Sequence, residues 1–205
     1  MKFKKLGLIG RFKPLHLGCA ALLEEACKES QEVIIGIGSA NKYNLRNPFT
    51  AQESEEMIRS CIKFPNYQIL YIPDFGDIPG YENGQEWSVH VKSWFGELDA
   101  FVSGNLYVTE LLKPNYRIIH PNVLIPKEKQ IELHATKVRI EMARGDGWRE
   151  FVPFEVSEYL DSNGLVERFR REYGSQTLQK TEYKSRLSAS EEKERILGGG
   201  RWYKN

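Results

Sequence analysis

Short apolar runs alternate along the chain with stretches of helical periodicity, a pattern typical of parallel α/β proteins. Residues 6–9 and 32–38 predict two buried strands with a helix between them. Residues 67–72 and 100–102 predict two further strands, with a loop and a short helix over 87–95 between them. We therefore expect a doubly wound, Rossmann-like parallel sheet that binds ligands at the carboxyl ends of its strands.

A helix start is encoded near residue 50. Thr50 is a suitable N-cap, and Glu53 stands three residues later, which together form a capping-box pattern. The sequence predicts a helix from here to about residue 62.

The character of the chain changes after Tyr173. Residues 174–205 are polar and mixed in charge, with few large aliphatic side chains to bury. We expect a single nucleotide-binding domain over residues 1–173 and a loosely ordered polar tail over 174–205. Within the tail, Ser188 and Glu191 form a second capping-box pattern that predicts a short helix.

Composition narrows the function classes. A chain of 205 residues is long enough for one domain with a real core, and its net charge of +1 provides no bulk field for nonspecific nucleic-acid or membrane binding. Any anion site must therefore be local. Three cysteines without a CxxC pair argue against a disulfide framework and a structural zinc site, and favour a reducing cytoplasm. We expect neither a signal peptide nor a membrane helix.

A phosphate site is predicted directly after the first strand. Glycines at positions 10 and 18 let the backbone approach a phosphate, and the following helix N-terminus supplies free N–H donors. Arg11 and His16 add side-chain donors at the same place. An ordinary strand-to-helix turn is the alternative interpretation.

The segment over residues 10–19 resembles the GRFxPxHxGH signature of the HxGH nucleotidyltransferases, with Cys19 in place of the last histidine. Four later blocks resemble those of archaeal-type nicotinamide mononucleotide (NMN) adenylyltransferases, and the likeness covers about residues 6–173. These blocks are residues 37–40 with 46–51, 87–90, 102–105 and 134–139.

The resemblance implies an enzyme that transfers AMP from ATP to NMN, releasing pyrophosphate and forming NAD. It implies ATP as a substrate and Mg²⁺ held mostly by water and phosphate oxygens, with no metal ligands from the protein. The expected partners are small-molecule nucleotides, without nucleic acid or membrane, and the family often forms homo-oligomers.

The resemblance also assigns site residues. His16, Arg139 and Arg11 are the predicted catalytic residues, acting on the phosphates of ATP. The predicted binding residues are Gly10, Phe12, Gly18, Cys19, Ser39, Arg46, Trp87, Ser103, Gly104, Asn105 and Thr136. Trp87 would stack on the nicotinamide ring, or else belong to the core.

Departures from the family pattern leave alternatives open. Cys19 is a weak donor where the family has a histidine, which predicts slower transfer. Lys13 and Lys137 add positive charge that would compensate. Two alternatives remain: a degenerate nucleotide-binding module without turnover, and a transferase with a different phosphate acceptor. Asp74 and Asp77 lie in a loop that either contacts this acceptor or is an ordinary turn, in which aspartates are common.

Overall fold

A computed structural model describes residues 2–81, 83–145 and 147–186. These residues form a five-stranded sheet in the order β3-β2-β1-β4-β5, in which every neighbouring pair is parallel. The strands are β1 (Phe3–Gly10), β2 (Ser30–Gly38), β3 (Tyr67–Ile72), β4 (Ala100–Val102) and β5 (Ile118–Ile119). The strand order reverses at β1, which confirms the doubly wound, Rossmann-like fold and creates a crevice between β1 and β4.

Helices flank both faces of this sheet. They are α1 (Leu17–Glu29), α2 (Ala51–Cys61), α3 (Gln85–Phe95), α4 (Leu106–Leu112), α5 (Ala135–Arg144), α6 (Phe154–Ser162), α7 (Leu165–Phe169) and α8 (Ser175–Arg186). A π-helical turn over Arg170–Gly174 joins α7 to α8. None of the helices in the described part of the chain is long and apolar enough to cross a membrane.

Alternate residues of the central strands enter two separate hydrophobic cores. Leu6 and Leu8 belong to the larger core, which also contains Trp148. Ile34 and Phe101 point to the other face and pack in the smaller core. Burial on both faces explains why these strands are continuously apolar in the sequence, without alternation.

The smaller core depends on a close approach of α3 to the sheet. A Cβ atom added at Gly7 would lie 2.5 Å from Leu98 Cδ1 and 2.8 Å from Phe95 Cδ1. Only glycine leaves room for these two side chains above the middle of β1.

The predicted capping box at the start of α2 is confirmed. The Glu53 N–H donates to Thr50 Oγ1 over 3.1 Å, and the Thr50 N–H donates to Glu53 Oε2 over 2.9 Å. The Glu53 carboxylate also accepts two hydrogen bonds from Arg168, at 2.5 and 2.7 Å. Arg168 therefore fastens α7 to the first turn of α2.

The start of the predicted tail differs from the expectation of loose order. Residues 175–186 form α8, which continues the chain from α7 and packs against α5. Thr177 is buried, and its hydroxyl donates to the Tyr173 carbonyl over 2.8 Å. The second predicted helix, which would begin at Ser188, lies outside the described residues. The domain boundary at residue 173 stays a prediction.

Candidate active site

A cavity of about 500 Å³ opens at the carboxyl ends of β1, β2 and β4. It lies at the point where the strand order reverses, which is where doubly wound sheets bind their ligands. Most predicted site residues line it: Gly10, Arg11, Phe12, Cys19, Ser39, Arg46, Trp87, Ser103, Gly104 and Asn105. The other predicted residues, His16, Gly18, Thr136 and Arg139, are not in this lining and are connected to it by the contacts below.

His16 caps the N-terminus of α1. Its Nδ1 accepts a hydrogen bond from the Cys19 N–H over 3.3 Å, so the proton of the neutral ring must be on Nε2. Burial, together with the charges of His134 and Arg139, lowers the pKa of His16 to about 4. His16 is therefore a neutral N–H donor at pH 7 and is not a source of positive charge.

Cys19 stands beside this imidazole and lines the cavity. Its Sγ lies 3.3 Å from His16 Nε2. Burial raises the pKa of the Cys19 thiol to about 12, which keeps the sulfur neutral and poorly nucleophilic. The thiol can fill space against a bound group, but it offers only a weak hydrogen bond.

Gly18 allows the start of α1 to meet the segment that leads into α5. A Cβ atom at this position would lie 2.9 Å from the Ile131 carbonyl oxygen, which is backbone and cannot move aside cheaply. The glycine therefore serves close packing between the two predicted phosphate segments.

Two non-glycine residues with left-handed backbone conformation follow β1 and β2. Phe12 has φ +52° and Ser39 has φ +51°, and both line the cavity. Such conformations cost about 1–3 kcal/mol each and persist only where surrounding contacts hold them. The contacts that hold Ser39 are described below.

Arg139 connects the second predicted phosphate segment to the first. It is buried on α5, where Nη2 donates to Thr136 Oγ1 over 3.2 Å and Nη1 donates to the Lys13 carbonyl oxygen over 2.8 Å. Burial lowers the pKa of Arg139 to about 10, and the charges of Arg11 and Arg46 contribute in the same direction. The guanidinium stays charged at pH 7, so three arginines create a positive region beside the cavity.

Thr136 stands in the first turn of α5. The side chain of its N-cap residue, His134, makes no capping hydrogen bond, and the Lys137 N–H donates to the His134 carbonyl, which leaves the Ala135 and Thr136 N–H groups to bind an anion. Lys137, also expected to add charge here, is 2.6 Å from Glu141 and forms an ion pair with it. Its charge is therefore largely neutralised by its own helix.

Comparison with known proteins identifies the family. The model of the cytidylyltransferase-like family matches residues 8–195. The chain belongs to this family. It is 34% identical over 171 residues to nicotinamide-nucleotide adenylyltransferase of Thermococcus onnurineus (strain NA1), a match that covers 81% of this chain and 87% of the relative.

Solved structures agree on the fold of this cytidylyltransferase-like protein. A bifunctional NMN adenylyltransferase/ADP ribose pyrophosphatase from Francisella tularensis superposes with a TM-score of 0.68 at 18% identity, over 91% of this chain and 57% of that one. The same bifunctional protein complexed with AMP and a manganese ion gives a TM-score of 0.60 at 21% identity, over 83% and 52%. The chain thus spans just over half of that longer protein.

The block over residues 102–105, at the end of β4 in this cytidylyltransferase-like protein, forms part of the cavity wall. Asn105 caps α4, with Oδ1 accepting from the Val108 N–H over 3.2 Å, and its own N–H donates to Ser103 Oγ over 3.2 Å. Both residues line the cavity, and Gly104 lies between them. Trp87 lines the cavity and also packs against the smaller core, so both of its predicted roles are compatible with its position.

The loop after β3 also reaches the cavity. Asp74 accepts a hydrogen bond from Ser39 Oγ over 3.2 Å, and Asp77 forms an ion pair with Lys42. Several further residues line the cavity that the sequence motifs did not predict: Lys42, Asn44, Asn47, Phe75, Tyr81 and Tyr107. Proximity to the Arg46 block was a usable signal for the asparagines, whereas no pattern marked the aromatic residues.

Proposed function

We propose that this protein transfers the adenylyl group of ATP to NMN, forming NAD and releasing pyrophosphate. The observation that carries the proposal is the hydrogen bond from Arg139 to Lys13, which joins the second predicted phosphate segment to the first, whose Gly10, Arg11 and Phe12 line the cavity. The relative from Thermococcus onnurineus, which bears the name of this activity, supports the same reaction.

The reaction requires alignment and charge stabilisation. An oxygen of the NMN phosphate attacks the α-phosphorus of ATP, and the bond from that phosphorus to the pyrophosphate oxygen breaks on the opposite side. Arg139, as a cation, stabilises charge on the departing pyrophosphate, while His16 donates from Nε2 to a phosphate oxygen without exchanging protons. We assign Arg11 and Arg46 to the same phosphates.

We propose that the two nucleotides bind side by side in the cavity of about 500 Å³. We propose that the backbone around Gly10 and Phe12 supports the triphosphate, while Ser103 and Asn105 contact the adenine or ribose. The nicotinamide would lie against Trp87, which lines the cavity. A flat ring stacked there would lose water from the face that contacts the indole.

A divalent cation would bind at this site through the phosphate groups of the substrate. Among the described residues no group of three or more His, Cys, Asp or Glu side chains could hold a metal ion. We propose that Mg²⁺ is held by phosphate oxygens and water, with Asp74 and Asp77 the carboxylates in the lining. When bound, the ion neutralises charge on the leaving pyrophosphate. The related structure with AMP and manganese supports a divalent ion.

The proposed surroundings of the enzyme follow the sequence. We propose a cytoplasmic location, which the free thiols of Cys19, Cys27 and Cys61 support. Small-molecule nucleotides are the proposed partners, and assembly into a homo-oligomer is part of the same proposal.

Nucleotide binding without turnover is a second candidate, favoured by the neutral thiol of Cys19. The experiment is to incubate the purified chain with ATP, Mg²⁺ and NMN, and to measure NAD and pyrophosphate together. NAD formation supports the proposal. Calorimetric ATP binding without product favours the second candidate, whereas pyrophosphate release only with another mononucleotide or a phosphorylated alcohol indicates a different acceptor. If the protein at high concentration shows no ATP binding and no turnover, both candidate functions are contradicted.

A further inference from the structure

Lys13 is a buried charged residue that the proposed mechanism does not use. Its side chain is 1% exposed, among the most buried large side chains of the protein. Its ammonium donates to the Ser39 carbonyl oxygen over 3.0 Å. Burying an ammonium away from water is costly unless the charge is paired and hydrogen-bonded.

The hydrogen bond from Lys13 ends on a residue held in left-handed conformation. Ser39 has φ +51°, and its hydroxyl donates to Asp74 Oδ2 over 3.2 Å. Asn41 strengthens this link, because its amide group exchanges hydrogen bonds with the backbone of Asp74, at 2.7 and 3.0 Å. The loop after β1 is thereby connected to the loops after β2 and β3.

The same lysine also connects to α5. Its carbonyl oxygen accepts the hydrogen bond from Arg139 described above. Lys13 therefore contacts the second phosphate segment through its backbone and the β2 loop through its side chain. All three residues that it links, Ser39, Asp74 and Arg139, belong to the candidate site or its immediate support.

The charges around Lys13 are unbalanced. Burial lowers the pKa of Lys13 to about 8, and the charge of Arg11 contributes in the same direction, while Glu53 opposes both. Glu53 is itself hydrogen-bonded to Arg168, which weakens its support. The cavity lining contains two carboxylates, Asp74 and Asp77, and Asp77 is paired with Lys42, so a bound polyphosphate would add negative charge beside Lys13.

We propose that Lys13 is a positioning residue that couples three loops of the site through Ser39, and that its amine takes up a proton when a triphosphate binds. The inference rests on the proposed function, because ATP supplies the anion. A bound polyanion favours the ammonium over the neutral amine, and the ammonium in turn holds the Ser39 carbonyl more strongly.

Proton uptake distinguishes this role from a purely structural one. At pH 8 about half of the Lys13 amines are protonated before binding, and a rise of its pKa by about one unit gives an uptake of about 0.4 proton per ATP. The measurement is titration calorimetry of the full chain with ATP alone at pH 8, in buffers of different ionisation enthalpy.

Two variants separate the charge from the hydrogen bond. Lys13→Met removes both, and we expect it to lose the uptake and to speed hydrogen exchange of the Ala40, Asp74 and Gly76 amides at least tenfold. Lys13→Gln keeps a neutral donor, and we expect it to restore slow exchange without restoring the uptake. Lys63→Met, at an exposed lysine beyond the far end of α2, is the matched control and should behave as the native chain.

Equal proton uptake in the native chain and in Lys13→Met would overturn the proposal, as would unchanged exchange at those amides. If Lys13→Met does not fold, Lys13→Gln alone decides, because it should lose the uptake while retaining its thermal transition. If the native chain binds no ATP, the proposed function fails. The exchange comparison then still decides whether Lys13 couples the loops.

Discussion

Arg139 Nη1 donates a hydrogen bond to the carbonyl oxygen of Lys13 over 2.8 Å, between residues that are 126 positions apart in the chain. This bond joins α5 to the loop after β1 at one side of the cavity. A guanidinium held in this way has lost its conformational freedom before any substrate arrives, which is the preorganisation that stabilises charge during phosphoryl transfer.

Replacing Arg139 tests this arrangement. We expect Arg139→Ala to lower kcat/KM for ATP by about 10²- to 10³-fold, because one preorganised donor is lost. Arg139→Lys should recover only part of the rate, since an ammonium cannot reproduce the forked geometry. Arg144→Ala, on the same helix but exposed and paired with Glu141, is the matched control. A loss of less than threefold in Arg139→Ala would contradict the assignment.

Cys19 offers a test in the opposite direction. We expect Cys19→His to be at least as fast as the native chain, with a gain in kcat of up to about 10²-fold, because an imidazole replaces a neutral thiol beside the phosphates. Cys19→Ser is the control, because a hydroxyl is also neutral at pH 7. The measurement is the initial rate of NAD formation, and a clear loss of rate in Cys19→His would show that the position does not face the reacting phosphates.

The neutrality of His16 predicts a pH profile. With its pKa lowered to about 4, His16 does not titrate between pH 5.5 and 7.5, so kcat should show no limb from this group in that range. A limb near pH 6.5 that disappears in His16→Gln would contradict the neutral Nε2 tautomer.

The same pKa shift affects stability. The folded protein binds a proton at His16 less readily than the unfolded chain, whose histidine has an ordinary pKa near 6.5. Folding stability should therefore fall as the pH drops from about 6.5 towards 4, by about 3 kcal/mol in total from this group. Urea unfolding of the native chain and His16→Gln across this range measures the difference, and parallel curves would exclude the contribution.

The main elements of the fold were predictable because their signals are local. Strands β1, β2 and β4 contain apolar runs buried on both faces, β3 is a largely apolar edge strand, and the Thr50 capping box lies within four residues. Strand β5 was not predicted, because Ile118–Ile119 is too short to carry a pattern. The helix after residue 174 was missed because its stability comes from packing against α5, which composition does not record.

The residues of the candidate site were also only partly predictable from the sequence. The motifs marked residues whose backbone or charge serves a phosphate, such as Gly18 and Arg139. They could not mark Phe75 or Tyr81, which reach the cavity only because the loop after β3 folds over it. Nor could they show that Lys13 is buried, since a lysine in a motif usually faces solvent.

The contact between Glu53 and Arg168 predicts acid sensitivity. Burial alone would raise the pKa of Glu53, but hydrogen bonds from Arg168 and the Thr50 N–H outweigh it and hold this pKa below its ordinary value. A lowered folded pKa contributes stability above the unfolded value near 4.3, and this stability is lost as the pH falls through the folded pKa.

Glu53→Gln should remove that contribution. We expect it to lower the free energy of unfolding at pH 7 by about 2 kcal/mol, because Arg168 loses its charged partner. The loss should shrink as the pH falls through the lowered pKa of the folded state, because the native carboxylate is then itself protonated. Glu56→Gln, at an exposed position of the same helix, is the control. Equal unfolding curves for Glu53→Gln and the native chain at pH 7 would show that the pair is not stabilising.

The reversal of strand order at β1 has an evolutionary consequence. Where two neighbouring crossover connections leave a sheet in opposite directions, the crevice between them is formed by the backbone topology and does not depend on a single lining side chain. A substitution at a lining position such as Cys19 can therefore change the rate of the reaction while the protein keeps its capacity to bind a ligand.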